Sequence, residues 1–147
     1  MPTFTLHPTL HADTFPVADL PLCKLLLMND THFPWLILVP ARLTEKGEYL
    51  RDLSDVARTE QPQLWTEIVA VENALKSATG AYKMNVAALS NVVQQLHIHI
   101  VARQETDAAW PRPVWGHGPA TPYQPSAAGH LIAAVKTHLA PIFRDSI

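Results

Sequence analysis

One cysteine, Cys23, is all the thiol chemistry this chain holds. A single thiol excludes an intrachain disulfide, and no zinc-type cysteine cluster can be built from it. A buried core thiol is the expectation. Long apolar runs are also missing: none approaches the ~20 residues that span a bilayer. Residues 1–5, Met-Pro-Thr-Phe-Thr, lack the basic region and apolar run of a signal peptide. A cytoplasmic protein without a membrane partner is expected. Charge of one sign is scarce as well. Eleven Lys and Arg against 13 Asp and Glu leave a net charge of −2 at pH 7. That gives no basic face for a long nucleic acid. A small anion is a different matter, because a few local donors can hold it.

What is present fits one folded domain over residues 1–147, with 48% hydrophobic and 16% charged residues. Thirteen prolines divide the chain into short elements, and eight histidines stand out. Residues 1–21 carry four of the prolines and read as irregular, with one short edge strand near 4–6. Residues 23–28 and 35–39 are apolar runs joined by the turn signal Asn29-Asp30-Thr31, which predicts an antiparallel hairpin covered on both faces. Residues 41–52 read as a loop. Ser54 or Asp55 is placed to cap a short helix. Pro62 suits the first turn of a longer one. In that longer helix Leu64, Ile68, Val71 and Leu75 form one face, with Trp65 and Val69 beside it. Trp65 and Ile68 are expected in the core. Gly80 suits the position just past the helix end. Residues 82–89 and 92–102 read as strands, 104–125 as a long Pro/Gly/Trp-rich loop, and 127–139 as a final helix. The class is α+β.

The informative histidines are His97 and His99, within Gln95-Leu96-His97-Ile98-His99-Ile100-Val101. On a strand, positions two apart share a face at a Cα spacing of about 7 Å. Gln95, His97 and His99 then line one side, while Leu96, Ile98 and Ile100 enter the core. Two adjacent imidazoles have three uses. They can be structural, the leading reading from spacing alone. They can attack phosphorus, since neutral imidazole has a lone pair at cell pH, and a carbonyl holding one ring N–H leaves the other nitrogen facing outward. They can bind a metal, but His7, His11, His32, His117 and His130 stand at no diagnostic spacing to complete a site.

The stretch Gln-Leu-His-Ile-His-Ile-Val resembles the histidine triad (HIT) motif, His-φ-His-φ-His-φ-φ with φ apolar. The resemblance covers roughly residues 22–104, leaving 105–147 as a C-terminal loop and helix. The segment 25–40 is similar to the family's hairpin with its closing Val-Pro step. Ser90-Asn91-Val92-Val93 stands at the family's Gly-Gln-Ser/Thr-Val turn, and Ala102-Arg103 follows the triad as Pro-Arg often does. The Trp-rich loop is similar to that of a bacterial branch of short HIT-like proteins. The departures are Gln95 at the first triad position, Ser90-Asn91 in place of Gly-Gln, and Pro40-Ala41-Arg42-Leu43 in place of the family's Pro-Lys-x-His.

The resemblance implies an antiparallel sheet of about five strands with two or three helices, and a homodimer. It implies a small-molecule nucleotide as partner and cleavage at its α-phosphate through a nucleotidyl-histidine. Carried over by position, His97 is the nucleophile, and His99 and Gln95 hold the phosphate. Asn85, Ser90, Asn91 and Val92 supply donors around it, and Asp30 stands near the ribose, although turn chemistry is its plainer reading. No cofactor or metal is required, since imidazole is the nucleophile. The other class of function is a nucleotide-binding regulatory module with little turnover. For Trp115 and His117, loop packing is the plainer reading and base stacking the alternative. Arg103 reads equally as structural or as a stabiliser of phosphate charge.

Overall fold

The computed structural model describes residues 2–147 and contains a five-stranded sheet, all antiparallel, in the order β1-β2-β3-β5-β4. The strands are β1 (Thr14–Asp19), β2 (Cys23–Met28), β3 (Trp35–Pro40), β4 (Lys83–Ala87) and β5 (Ile98–Arg103). The helices are α1 (Pro8–Asp13), α2 (Gln61–Thr79) and α3 (Pro125–Leu139). The predicted hairpin is β2–β3, and every residue of β3 and β5 is buried. Alternation along these strands splits the core into two layers. Leu36, Leu38, Ile98 and Ile100 face α2 and α3, where Leu64, Val71, Leu75, Val135 and Leu139 meet them. Trp35, Ile37, Val39 and Val101 face the opposite side. That side is covered by Phe4, Leu6 and, from α1, Leu10 at one end, and by Ala109, Val114 and Trp115 of the loop after β5 at the other. Among the described residues no helix is long and apolar enough to cross a membrane.

Several expectations give way. Residues 4–6 form no strand; the edge strand is β1, preceded by α1. Pro16 made β1 hard to read, but it sits on the sheet edge beside a bulge, where a missing N–H costs nothing. The short helix is one 3-10 turn at Leu53–Asp55 capped from Asp52, and the Asp55 carboxylate accepts the N–H groups of Arg51 and Asp52. The strand predicted from 92 starts only at Ile98. The ladder explains this: pairing with β4 ends at Ala87–His99 and pairing with β3 at Leu38–Ile98, so residues 91–97 make no ladder pairs.

Trp65 is not core: it is 68% exposed. The buried stripe of α2 runs through Leu64, Glu67, Val71, Ala74 and Leu75. Trp65 lies a step around the cylinder, with exposed Val69, Asn73 and Lys76 on its face. Gly80 does end the helix, in the left-handed region at φ 66°.

Glu67 went unremarked in the sequence, yet it is fully buried. Its two carboxylate oxygens accept the N–H groups of Leu22 (2.9 Å) and Cys23 (2.8 Å), and Gln63 donates a third bond at 2.7 Å. A carboxylate in the core survives only with such partners. It pins the start of β2 to α2. Burial, with the neighbouring Glu67 charge second, pushes the Cys23 thiol far above its usual range, so it is inert. Replacing Glu67 with Ala orphans two buried N–H groups. We expect a loss of about 3 kcal/mol in unfolding free energy by urea denaturation, with Glu67→Gln losing less.

Candidate functional site

The site is built where β5 loses its ladder. Residues 91–93 form bends rather than strand, so their backbone N–H groups are not spent in a sheet. Leu96 N–H donates to Leu50 O at 2.8 Å, tying the segment to the loop after β3. His97 follows, then His99 on β5 opposite Ile37 of β3. The two rings meet edge to face with centroids 4.7 Å apart. Both line a cleft of about 520 Å³ together with Asp30, Trp35, Asn91 and Val92.

The hydrogen bonds fix both tautomers. His97 Nδ1 lies 2.7 Å from the Gln95 carbonyl oxygen. A carbonyl only accepts, so Nδ1 carries the proton and Nε2 keeps its lone pair. Ser90 Oγ supports the same residue, accepting the His97 backbone N–H at 3.4 Å. His99 is engaged at both ends. Its Nε2–H donates to Leu89 O at 2.9 Å, and its Nδ1 accepts the Trp35 indole N–H at 3.0 Å. Burial lowers the pKa of His97; the bond to Gln95 opposes that shift and the nearby His7 charge adds to it. Burial also brings His99 down to about 4, against the opposing bond to Leu89. Both rings are neutral near pH 7.

The other candidates divide. Asp30 is buried at the cleft wall, and one of its oxygens accepts the backbone N–H groups of His32 (3.0 Å) and Thr121 (3.3 Å) and contacts His32 Nδ1 at 2.6 Å. It thus serves the turn and faces the cleft as well. Trp115 packs edge-on against His99 and Trp35, and His117 meets His32 and Phe33 edge to face; both also line the cleft. Trp115 Nε1 is the single buried side-chain polar atom without a partner among the described residues.

Gln95 does not reach the cleft. Its side-chain oxygen accepts the His7 N–H and its NH₂ donates to Thr5 O, both at 2.9 Å, so its amide is committed to the N-terminal segment. Ser90 acts behind His97 rather than in the cleft. Asn85 is drawn away too: its Oδ1 accepts from Arg103 at 2.8 Å. Arg103 is buried and structural. It forks onto Asp107 at 2.7 and 3.0 Å, donates to Arg112 O at 2.8 Å, and lies over the Phe33 and Trp110 rings. Burial resists the Asp107 charge, but the Arg103 bonds and the N–H groups of Gln104 and Ala109 outweigh it, bringing Asp107 to about 2. Trp35 was missed as a partner of His99. Its position opposite Val101, two pairs from the Ile37–His99 pair and so on the same face, was the available signal once register was known. Among the described residues no group of three His, Cys, Asp or Glu is placed to hold a metal ion.

Comparison with known proteins agrees with this architecture. The family model described as HIT domain matches residues 9–106. A histidine triad protein from Bradyrhizobium japonicum is 42% identical, with a TM-score of 0.87 over 93% of this chain and 98% of its own. A histidine triad (HIT) protein from Sinorhizobium meliloti 1021 is also 42% identical, with a TM-score of 0.88 over the same shares, 93% and 98%. A histidine triad protein from Marinobacter aquaeolei VT8 is 39% identical, with a TM-score of 0.82 over 97% of this chain and 98% of its own. A search of curated proteins finds no match.

The His99 shift has a consequence for stability. Its folded pKa of about 4 lies below the ordinary 6.5, so the unfolded chain takes up a proton that the native site refuses. Stability is full above pH 6.5 and falls as pH drops from 6.5 toward 4. The contribution is at most about 3 kcal/mol. Melting temperature followed across that range is expected to decline, and His99→Asn is expected to flatten the decline.

Proposed function

This chain belongs to the histidine triad (HIT) family, and from that premise we propose a nucleotide-binding hydrolase or nucleotidyl transferase that works at the α-phosphate of a nucleotide conjugate. A phosphoramidate or a dinucleoside polyphosphate is the substrate class. The observation that carries this reading is the 2.7 Å contact between His97 Nδ1 and the Gln95 carbonyl, which leaves Nε2 as an unprotonated nucleophile on the cleft side. Nε2 attacks phosphorus, a P–N bond forms, and the bond to the leaving group breaks with its electron pair. The imidazole becomes cationic, and the Gln95 carbonyl dipole stabilises the charge as it develops. The leaving group takes a proton from solvent. Water then attacks the nucleotidyl-histidine, a P–O bond forms as the P–N bond breaks with its electron pair to Nε2, the water's proton goes to solvent, and the nucleoside monophosphate leaves a neutral His97. Backbone N–H groups of residues 91–93 are the donors available to the bound nucleotide.

A second reading, a nucleotide-binding module with little turnover, is favoured by the full engagement of His99 and Gln95. Neither has a free proton to pass beside His97. One assay separates the two. Purified protein is incubated with an adenosine phosphoramidate, an adenylyl-lysine model and diadenosine polyphosphates. AMP release is expected, and His97→Asn is expected to lower it at least about a hundredfold. AMP binding without release supports the module, and no binding at all defeats both readings.

The family resemblance to a homodimer has a physical counterpart at β4. Both sheet edges are open, but β1 carries Pro16 and a bulge, devices that block strand addition. β4 has neither. Beside it Leu53, Trp65 and Val86 line an apolar groove of about 600 Å³, with Trp65 68% exposed. A second copy of the chain seated on this face buries all three side chains. Light scattering is expected to give a dimer mass, shifting toward monomer in Trp65→Glu; a monomeric parent protein would rule out this arrangement.

A further inference from the structure

A phosphoramidate releases an amine, and an amine nitrogen departs only if it gains a proton as its bond to phosphorus breaks. The titratable side chains that line the cleft are Asp13, Asp30, His97, His99 and His117. His97 is the nucleophile, and its Nδ1 proton is held by the Gln95 carbonyl. His99 is bonded at both ring nitrogens, to Leu89 O and to the Trp35 indole. Asp30 accepts His32 Nδ1 and two backbone N–H groups at one oxygen. Carboxylates ordinarily hold no proton near pH 7, which sets Asp13 aside with it. His117 is what remains. Imidazole is also the side chain that ordinarily gains and loses a proton close to neutrality.

The His117 ring is free to act, and its place is fixed. Among the described residues neither of its nitrogens has a hydrogen-bond partner. The ring meets His32 and Phe33 edge to face, with centroids 5.2 and 5.5 Å away. Both supports are themselves held. His32 Nδ1 donates to the Asp30 carboxylate at 2.6 Å, and Phe33 is buried against the Arg103 guanidinium. Gly116 and Gly118, on either side of His117, have φ of 84° and 135°, in the region that side chains rarely adopt. The His117 N–H closes this turn on Val114 O at 3.2 Å. Two residues earlier, Trp115 lies edge-on to His99 at 5.3 Å, and His99 lies 4.7 Å from His97. The loop that carries His117 is thus one wall of the cleft and His97 is on the other. His117 is exposed as well as lining the cleft, so it stands where a leaving group departs and where the ring exchanges its proton with solvent.

We propose that His117 is the acid of this site, donating a ring N–H proton to the leaving nitrogen of a nucleotide phosphoramidate. The proposal rests on the reading of the cleft as a hydrolase site. His97 Nε2 forms its bond to phosphorus while the bond from phosphorus to the leaving nitrogen breaks with its electron pair. The protonated His117 ring gives that nitrogen its proton, so the amine leaves neutral. His117 is then a neutral ring and takes a proton back from solvent. The solvent proton thus reaches the leaving group through His117. A leaving group that is stable as an anion needs no such donor.

The test compares two substrates of the full chain. One is an N-alkyl adenosine 5′-phosphoramidate. The other is adenosine 5′-(p-nitrophenyl phosphate), whose p-nitrophenolate leaves without a proton. The parent protein is expected to release AMP from both. His117→Gln is expected to lower kcat/KM for the phosphoramidate roughly a hundredfold and for the ester by less than about threefold. His117→Ala is expected to give the same split, with AMP affinity followed by calorimetry in each variant. If both substrates slow by the same factor, or neither slows, His117 is only part of the wall, and the proposal is overturned while the hydrolase reading stands. A loss of AMP affinity that matches the loss of rate gives the ring a binding role instead and also overturns it. So does a parent protein that cleaves the ester but not the phosphoramidate. A parent protein that binds AMP and cleaves neither defeats the hydrolase reading and this proposal with it. One that binds no AMP removes the nucleotide reading as well.

Discussion

The contact between His97 Nδ1 and the Gln95 carbonyl is the constraint on which the rest of the site depends. A histidine ring has two candidate nucleophilic nitrogens, and only a fixed proton decides between them. Here the decision is made by backbone, which cannot change its protonation state. For the Gln95 carbonyl to lie beside the ring two residues later, the chain must leave the β ladder. It does so because pairing ends at Ala87–His99 with β4 and at Leu38–Ile98 with β3. The anchor of Leu96 on Leu50 and the Ser90 hydroxyl against the His97 backbone hold that irregular segment still. Burial then keeps the ring neutral, so the lone pair is present near pH 7.

Two buried charges hold the layers around this segment. Glu67 ties α2 to the start of β2, and Arg103 ties the loop after β5 to the sheet through Asp107, Asn85 and Arg112. Each ion is surrounded by hydrogen bonds, without which its desolvation would cost several kcal/mol. Both join regular structure to chain that has no ladder of its own. The helix side of the sheet needs one such pin because α2 and α3 already bury apolar stripes against it. The histidine side is covered by loops and the short α1, and the cation over Phe33 and Trp110 helps to fix the loop that carries Val114 and Trp115.

How far the sequence could be read follows from how local each signal is. The β2–β3 hairpin, α2 with its closing Gly80 and α3 were legible because apolar periodicity and end signals lie within each element. The sides taken by Leu96, Ile98 and Ile100 were legible for the same reason. The start of β5 was not, because a strand begins where its neighbours begin and the alternation 95–101 continues past that point. Trp65 was misplaced because an apolar side chain beside a stripe looks like part of it, and only the packing of α2 shows which residues turn outward. At the site, His97 and His99 were found from two-residue spacing. The diversion of Asn85 to Arg103 and the pairing of Trp35 with His99 are contacts 18 and 64 residues apart, for which no local pattern exists.

Gln95 shows why an amide suits a position where a histidine is otherwise found. Its oxygen and nitrogen branch from one carbon, so a single side chain can accept from the His7 N–H and donate to Thr5 O at the same time. Those two groups, two residues apart on an extended segment, are the pair that a neighbouring strand would use. The side chain therefore substitutes for a missing strand. Imidazole cannot do this, because its donor and acceptor lie on separate ring atoms that diverge. With the side chain locked, the Gln95 backbone is locked as well, and so is the carbonyl that sets the His97 tautomer. One residue thus fixes the N-terminal segment on one side and the direction of the imidazole lone pair on the other.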